Sequence, residues 1–290
     1  MTDLTYHVDG RLVPADEATV SVRDRGFMYG DAAFETLRVY GGEIFEFESH
    51  IERFARSLRT LDFDEAMPPV DDLRERVLDT VDANDFEDAY ARLSMTRGVQ
   101  DGKLTPQSPV DPTITVVVAE LPRGGTDGED VWDDPATLRT VETRRIPSQS
   151  VPANVKTHNY LNGVLARLEL RGSDADEAIM ADVEGYLTEG ATSNVFFVDG
   201  GTLKTPGTGL DLLPGVTRGV VLDIARSEGL PVETGQYSIP DLREADEAFV
   251  TNTTWEVRPV TAADGVEFEV GPMTRLLGKL FDERVEREHY

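Results

Sequence analysis

Between Leu121 and Pro135 the chain passes through Leu-Pro-Arg-Gly-Gly-Thr-Asp-Gly-Glu-Asp, a stretch dense in turn formers with neither a helical nor a strand period. An irregular segment of about fifteen residues is long for a connection inside one compact domain, so it reads as a boundary. The expected organisation is a small N-terminal domain over residues 1–121, a linker over 122–135 and a larger C-terminal domain over 136–290. Neither half shows a repeat of fixed period or a low-complexity run.

Within these halves the punctuation is local. Tyr6-His-Val and Arg11-Leu-Val flank Asp9-Gly10, the signature of a type I′ hairpin, and Phe34 to Tyr40 and Glu43 to Phe47 flank Gly41-Gly42. Ser49 followed by Glu52 reads as a capping box opening a helix with Ile51, Phe54, Ala55 and Leu58 on one face. A second helix is expected over 70–82, with strands over 89–96 and 113–119. Beyond the boundary the pattern gives a strand near 138–143, a helix over about 159–171 and strands near Ala178 and Asn194. A helix over 217–227, strands near Val232 and Ala248 and a closing helix over 273–287 follow. Strands and helices alternate without the regular βαβ rhythm of a doubly wound sheet, so the fold class is α+β, a mixed α/β architecture in two domains.

Composition removes whole classes of function. There is no cysteine, hence no disulfide, thiol nucleophile or thiolate metal site. His7, His50, His158 and His289 are scattered without the helical spacing of a metal pair, and no Gly-x-Ser-x-Gly elbow is present. No apolar run is long enough to span a membrane and the N-terminus lacks a signal-peptide pattern, so a cytoplasmic location is expected. A net charge of −27 repels phosphate backbones and argues against nucleic-acid partners. A local pocket of arginines and backbone N–H groups can still hold a small anion against that field.

Of 28 basic residues only four are lysines, at 103, 156, 204 and 279. A lysine at a helix start is most often solvated, but a lysine kept in an arginine-rich chain suggests a task that a guanidinium cannot perform, such as Schiff-base formation. Lys156 stands in Asn154-Val-Lys-Thr-His-Asn-Tyr160, ahead of an expected helix whose Leu161, Val164, Leu165 and Leu168 share a face and would anchor it. Glu189, 33 positions on, is one acid among 55, and it is singled out by Ala191-Thr-Ser-Asn194 and Val195-Phe-Phe197 behind it. Leu213-Pro-Gly-Val-Thr217-Arg218 leads into an amphipathic helix with Thr217 as its expected cap, an arrangement that suits an anion as well as a plain helix start. Thr251-Asn-Thr-Thr254 adds a second hydroxyl-rich turn.

Taken together, Glu, Asn, aromatic, Thr-Pro, Pro-Gly-Val and Thr-Arg in order from Glu189 to Arg218 resemble the signature of the fold-type IV (class IV) pyridoxal-phosphate enzymes. That family holds branched-chain aminotransferases, D-amino-acid aminotransferases and 4-amino-4-deoxychorismate lyases. Asp24-Arg-Gly-Phe-Met-Tyr-Gly-Asp31 with Phe34-Glu-Thr-Leu-Arg38 resembles the N-terminal motif of the D-amino-acid and lyase subgroups, and His50-Ile-Glu-Arg53 the helix that brings an arginine to the cofactor phosphate. The resemblance implies a small N-terminal α/β domain and a larger C-terminal domain with a pseudo-barrel sheet, closing over pyridoxal 5′-phosphate in a homodimer. It implies that Lys156 holds the cofactor as a Schiff base and shuttles protons at the substrate Cα, and that Glu189 pairs with the pyridine nitrogen. Arg53, the backbone of Val216 and Thr217, and Thr253 would bind the phosphate, while Ser193 and Asn194 belong to the cofactor-binding stretch. Tyr160 falls near a tyrosine placed against the phenolic oxygen, with its spacing from the lysine shortened by one residue. Tyr29, Glu35, Arg92, Arg97, Thr254 and Trp255 fall where the family shapes its substrate pocket.

The pocket motifs divide the possible reactions. Arg92-Leu-Ser-Met-Thr-Arg-Gly98 resembles D-amino-acid and lyase members, yet the Arg-x-His pair with which D-amino-acid enzymes hold a carboxylate is missing from Val-Gln-Asp-Gly-Lys-Leu behind it. Lyases carry a threonine where Glu35 stands, whereas Phe34-Glu35 matches branched-chain enzymes; Asp24-Arg-Gly-Phe does not. The resulting expectation is an aminotransferase acting between an amino acid and a 2-oxo acid, with 4-amino-4-deoxychorismate lyase, releasing pyruvate and 4-aminobenzoate, as the alternative. The acidic, lysine-poor composition itself resembles that of proteins from salt-loving organisms, where dissolved ions screen self-repulsion. Dialysis into low-salt buffer is therefore expected to unfold the chain, and an unchanged far-UV circular dichroism spectrum would contradict a halophilic character.

Overall fold

The computed structural model describes residues 4–123 and 130–290. Two compact units emerge, one of residues 1–123 with 155–159 and 289–290, the other of residues 124–154 with 160–288. The linker expected over 122–135 lies in part outside the described residues.

In the first unit Asp9 and Gly10 take φ of 48° and 80°, the left-handed pair that a type I′ turn requires, and join β1 (Thr5–Val8) to β2 (Arg11–Pro14). A short helix not foreseen from the pattern, α1 (Arg25–Tyr29), is capped by the Asp24 carboxylate accepting from the Gly26 N–H and ends at Gly30 with φ of 68°. Then come β3 (Ala32–Tyr40) and β4 (Glu43–Ile44) around Gly41 and Gly42. The second strand of that hairpin stops short of the expected Phe47, because Glu46 adopts φ of 51° and turns the chain into α2 (Phe47–Thr60). Ser49 thus sits inside the first turn instead of capping the helix, and its hydroxyl donates to Glu46. After α3 (Val70–Asp82), β5 (Ala89–Thr96) and β6 (Ile114–Glu120) complete a six-stranded antiparallel sheet in the order β2-β1-β6-β5-β3-β4. Ile51, Phe54 and Leu58 of α2 and Leu73, Val77 and Val81 of α3 close over Leu37, Val39, Ala91, Leu93, Val116 and Val118.

The second unit contains β7 (Ala136–Thr140), α4 (Leu161–Leu168), β8 (Glu177–Ala181), β9 (Leu187–Gly190), β10 (Asn194–Asp199) and β11 (Thr202–Pro206). It continues with α5 (Val216–Ser227), β12 (Val232–Gly235), α6 (Ile239–Arg243), β13 (Glu247–Asn252), β14 (Glu256–Ala263), β15 (Val266–Glu267) and α7 (Pro272–His289). Nine strands form one mixed sheet ordered β12-β11-β10-β13-β14-β7-β8-β9, with β15 on β14 and parallel pairs at β11/β12, β14/β7 and β7/β8. Its last strand, β9, curls back towards β10 and β11, so the sheet is the half-barrel expected for the larger domain and the fold class is the mixed α/β one.

Val195-Phe-Phe-Val runs apolar on both faces because both faces are covered. Val195 and Phe197 meet Ile179, Leu187, Leu242, Ala248 and Val250 on one side, while α5 packs on β13. The expected anchoring face of α4 is a correction: Leu161, Val164, Leu165 and Leu168 are 67%, 51%, 46% and 40% exposed, and the helix buries Asn162 and Ala166 instead. The periodicity identified a helix, but it could not tell which neighbour, if any, covers its apolar stripe. Phe196 and Phe249 lie directly opposite on β10 and β13, fully buried, with stacked rings 4.8 Å apart. Phe249→Ala is expected to cost about 3–5 kcal/mol of unfolding free energy, and a loss below about 1 kcal/mol in urea titration would contradict this packing.

Candidate active site

In the first unit Val155–Asn159 behaves as a short strand laid on the start of β3. Phe34 N–H donates to the Lys156 carbonyl at 3.0 Å, His158 N–H to Ala32 at 3.0 Å, and Ala33 and Thr157 form an antiparallel bridge. The Lys156 N–H donates to the Ser57 hydroxyl of α2 at 3.0 Å, and the Asn159 amide to the Gly30 carbonyl at 2.9 Å. Backbone and neighbours are thereby fixed on both sides of the lysine. Its Nζ lies 4.4 Å from the centroid of the Phe34 ring. The Arg92 guanidinium lies 3.6 Å from the same centroid, and the His158 imidazole meets that ring edge-on. Burial, reinforced by the Arg92 charge, pushes His158 down to about 4, so this imidazole is neutral near pH 7.

On the opposite face of β3 from Phe34 lies a buried polar network. Glu35 is fully buried on β3, and Arg53 forks onto it through Nε at 2.9 Å and Nη2 at 2.6 Å. His50, one helical turn before Arg53, donates from Nδ1 to the same carboxylate at 2.8 Å. Burial alone would raise the Glu35 pKa; the charge and hydrogen bonds of Arg53, with His50, outweigh it and hold the carboxyl at about 2. Glu35 therefore anchors Arg53, and both its oxygens are engaged away from any substrate. Arg97 is likewise absorbed by the protein: it bonds Asp31 and the carbonyls of Leu61 and Asp62 and stacks on Phe63. Tyr29, on α1, donates to the Gly102 carbonyl at 2.8 Å. Of the expected substrate residues in this unit, Arg92 is the one that lies beside Lys156 on Phe34.

In the second unit Glu189 ends β9 almost fully buried. Arg145 Nε donates to its Oε1 at 2.6 Å, and Leu213 N–H and the Asn194 amide donate to Oε2 at 2.9 and 3.5 Å. Asn194 also donates to the Leu213 carbonyl at 3.0 Å, tying β10 to the turn before α5. Ser193 donates to Glu177, a carboxylate with no exposure that also accepts the Thr192 N–H and hydroxyl. The turn at 190–193 is therefore built on Glu177, which the sequence analysis does not single out. Arg145 escaped notice too; the retained Arg144-Arg145 pair between two predicted elements was the only signal.

The start of α5 tests whether an anionic cofactor fits. The cap position is Gly215, not Thr217, and no side chain closes this helix start. A Cβ at Gly215 would come within 2.1 Å of Asn194 Oδ1, so glycine alone permits this approach. Thr217 is buried at the first turn, and the buried Thr251 hydroxyl on β13 makes no hydrogen bond to protein. Backbone N–H groups at an uncapped helix start, and one buried hydroxyl without a protein partner, are donors of the kind a phosphate ester takes. Thr254 and the Trp255 N–H cluster on Asn252, Arg258 stacks on Trp255, and Thr253 and Tyr160 are only partly covered. The residues present fit pyridoxal phosphate.

The Glu35 network yields a pH prediction. A carboxyl whose folded pKa is depressed contributes stability above its ordinary value of 4.5, and that stability is lost as the pH falls towards about 2. Glu35→Gln strands the Arg53 charge and is expected to cost about 3–5 kcal/mol at neutral pH. It should also flatten the acid-unfolding limb between pH 4.5 and about 2, and equal slopes in both proteins would contradict the network.

The chain is similar over nearly its whole length to known proteins. Residues 32–263 match the family model for amino-transferase class IV. A Methanocaldococcus jannaschii protein provisionally named a branched-chain-amino-acid aminotransferase is 36% identical, covering 96% of this chain and 95% of its own. The D-alanine aminotransferase of Listeria monocytogenes is 33% identical over 97% of this chain and 96% of its own. The solved 4-amino-4-deoxychorismate lyase of Pseudomonas aeruginosa superposes with a TM-score of 0.81 at 30% identity, covering 98% of this chain and 100% of its own. The chain belongs to the class IV aminotransferases and is an enzyme of the pyridoxal-phosphate-dependent kind.

Proposed function

We propose that this enzyme is an aminotransferase moving an amino group between an amino acid and a 2-oxo acid, with Lys156 as the point at which the cofactor is covalently held. The observation that carries the reading is the setting of Lys156. Lys204 pairs with Asp199, Lys279 with Glu283, and Lys103 is exposed, whereas the Lys156 amine lies on the Phe34 ring with its backbone fixed from both sides. Pyridoxal phosphate, when bound, supplies an electron sink that delocalises the charge left when the Cα proton departs. Lys156 would be the base that accepts the Cα proton and returns it. Glu189 would pair with the ring nitrogen. Arg53, the Val216 and Thr217 N–H groups and the Thr253 hydroxyl would hold the phosphate, with Glu35 and His50 fixing Arg53. Tyr160 would serve the phenolic oxygen, Ser193 and Asn194 shape the turn beside Glu189, and Tyr29, Arg92, Thr254 and Trp255 would border the substrate.

Glu35 receives the fork of Arg53; lyases carry a threonine at this position, and Phe34-Glu35 follows the branched-chain pattern instead. The lyase reading is kept alive by the Arg92 to Gly98 motif and by the lyase relative. A homodimer is supported by the apolar stripe of α4, which is left open in the single chain. No helix among the described residues is long and apolar enough to cross a membrane.

Holoenzyme at high salt, mixed separately with L-leucine, L-glutamate, D-alanine and aminodeoxychorismate, is expected to convert to the pyridoxamine form with an amino-acid donor. Pyruvate and aminobenzoate from aminodeoxychorismate would select the lyase instead. Lys156→Ala should lose the visible absorbance of the bound cofactor and the borohydride-fixed mass. Retention of that mass on another residue would overturn the assignment of Lys156.

A further inference from the structure

Arg145 has no role in the reading above, yet its Nε stands 2.6 Å from Glu189 Oε1. It is also braced. Asn162 of α4, itself buried, accepts from Arg145 Nη1 at 3.2 Å and from Ile146 N–H at 3.1 Å, and donates to the Arg144 carbonyl at 2.8 Å. One amide thus fixes three consecutive residues, and the Arg145 N–H is tied to Ala181 at the end of β8. The guanidinium cannot leave Glu189 without breaking this arrangement.

We propose that Arg145 is a positioning residue for the reaction, keeping Glu189 ionised so that their shared proton stays on the ring nitrogen of bound pyridoxal phosphate. The proposal rests on the reading of Glu189 as the partner of that nitrogen. In a carboxylate–pyridine hydrogen bond the proton resides on the more basic member. A cation and two N–H donors on the carboxylate stabilise its anionic form and lower its pull on the proton. The other charges around Glu189 act consistently with this. Arg218 on α5 is lowered by burial and by Arg226 only to about 10, so it stays cationic and interacts with Glu189. The nearest acid of the turn, Glu177, is engaged by Thr192, Ser193 and Arg167. Arg145 is the cation in direct contact, and its removal shifts the balance towards a protonated Glu189 and a neutral ring.

The test uses holoenzyme loaded with cofactor labelled at the ring nitrogen and read by heteronuclear NMR. The wild type should show a protonated nitrogen, Arg145→Gln a signal displaced towards the unprotonated form, and Arg145→Lys a signal restored towards wild type. In transamination Arg145→Gln should lower kcat by about 10- to 100-fold, the effect of losing one charge-assisted hydrogen bond, with a smaller change in KM. A structural ion pair would alter thermal stability and leave the nitrogen signal in place, and that result overturns the proposal. If Arg145→Gln does not fold, Asn162→Ala loosens the guanidinium while keeping its charge, and an unmoved signal there overturns it equally. Glu189→Gln separates the two levels. If it displaces the signal while Arg145→Gln does not, only the role of Arg145 falls; if it too leaves the signal unmoved, the reading of Glu189 falls with it.

Discussion

Everything proposed for Lys156 depends on how residues 155–159 are held on the start of β3. These five residues belong in sequence to the second half of the chain, yet they pair with Ala32–Phe34 through backbone hydrogen bonds and rest on Ser57 of α2. That stretch of β3 is free to accept them because β4 pairs only with its far end, at Val39 and Tyr40. A side chain mounted on a ladder loses little further freedom when it is used, and preorganisation of this kind is what a covalent attachment point requires. The same pairing brings Phe34 beneath Lys156 and puts Glu35, the next residue, on the opposite face of the strand, where Arg53 and His50 reach it. Strand alternation therefore assigns the aromatic floor and the buried anion from two adjacent letters of the sequence.

Two carboxylates, Glu35 and Glu189, are each gripped by an arginine, but to different ends. Glu35 has no exposure and both of its oxygens are consumed by Arg53 and His50, a closed ion pair whose value lies in fixing Arg53. Glu189 is held by Arg145 on one oxygen and by the Leu213 N–H and the Asn194 amide on the other. It lies near the end of a strand, and the Leu213 N–H that it accepts leads into an uncapped helix start. Small residues set the spacing: at Gly190 a Cβ would collide with Ser193 and Glu177, and at Gly215 with Asn194.

Much of this was legible in the sequence, and the gaps have physical causes. Periodicity located α3, β5 and α5 to within a residue or two, because amphipathic spacing and apolar runs are local properties. It misplaced the start of α2, where Glu46 in a left-handed conformation overrides the Ser-x-x-Glu signal. It missed α1, whose five residues carry too little pattern to declare themselves. Lys156, Glu189 and the Pro214-Gly215 turn are singled out in the sequence because scarcity or motif marks them. Glu177 and Arg145 were not, since an acid in an acidic run and an arginine among 24 look like solvated charges until tertiary contacts bury them. Arg97 shows the converse: a residue at a plausible pocket position whose guanidinium is wholly spent on its own unit.

The net charge of −27 and an anionic cofactor are reconciled by distance. Exposed carboxylates more than a Debye length away, about 10 Å at 0.1 M salt, contribute little, so the field felt by a phosphate is set by its immediate neighbours. In the first unit the buried or ring-stacked cations are Arg53, paired with Glu35, and Arg92 on the Phe34 ring; in the second they are Arg145 and Arg218 with the start of α5. The chain thus separates two demands on charge. Acids cover the surface, where they keep the protein soluble, and arginines are retained inside, where a delocalised cation can be buried against carboxylates and aromatic rings. Lysine is nearly eliminated from both settings because it does neither task better. Lys156, half-buried on the Phe34 ring, is the one to which the proposed function gives a chemistry that a guanidinium, unable to shed its proton or attack a carbonyl, does not offer.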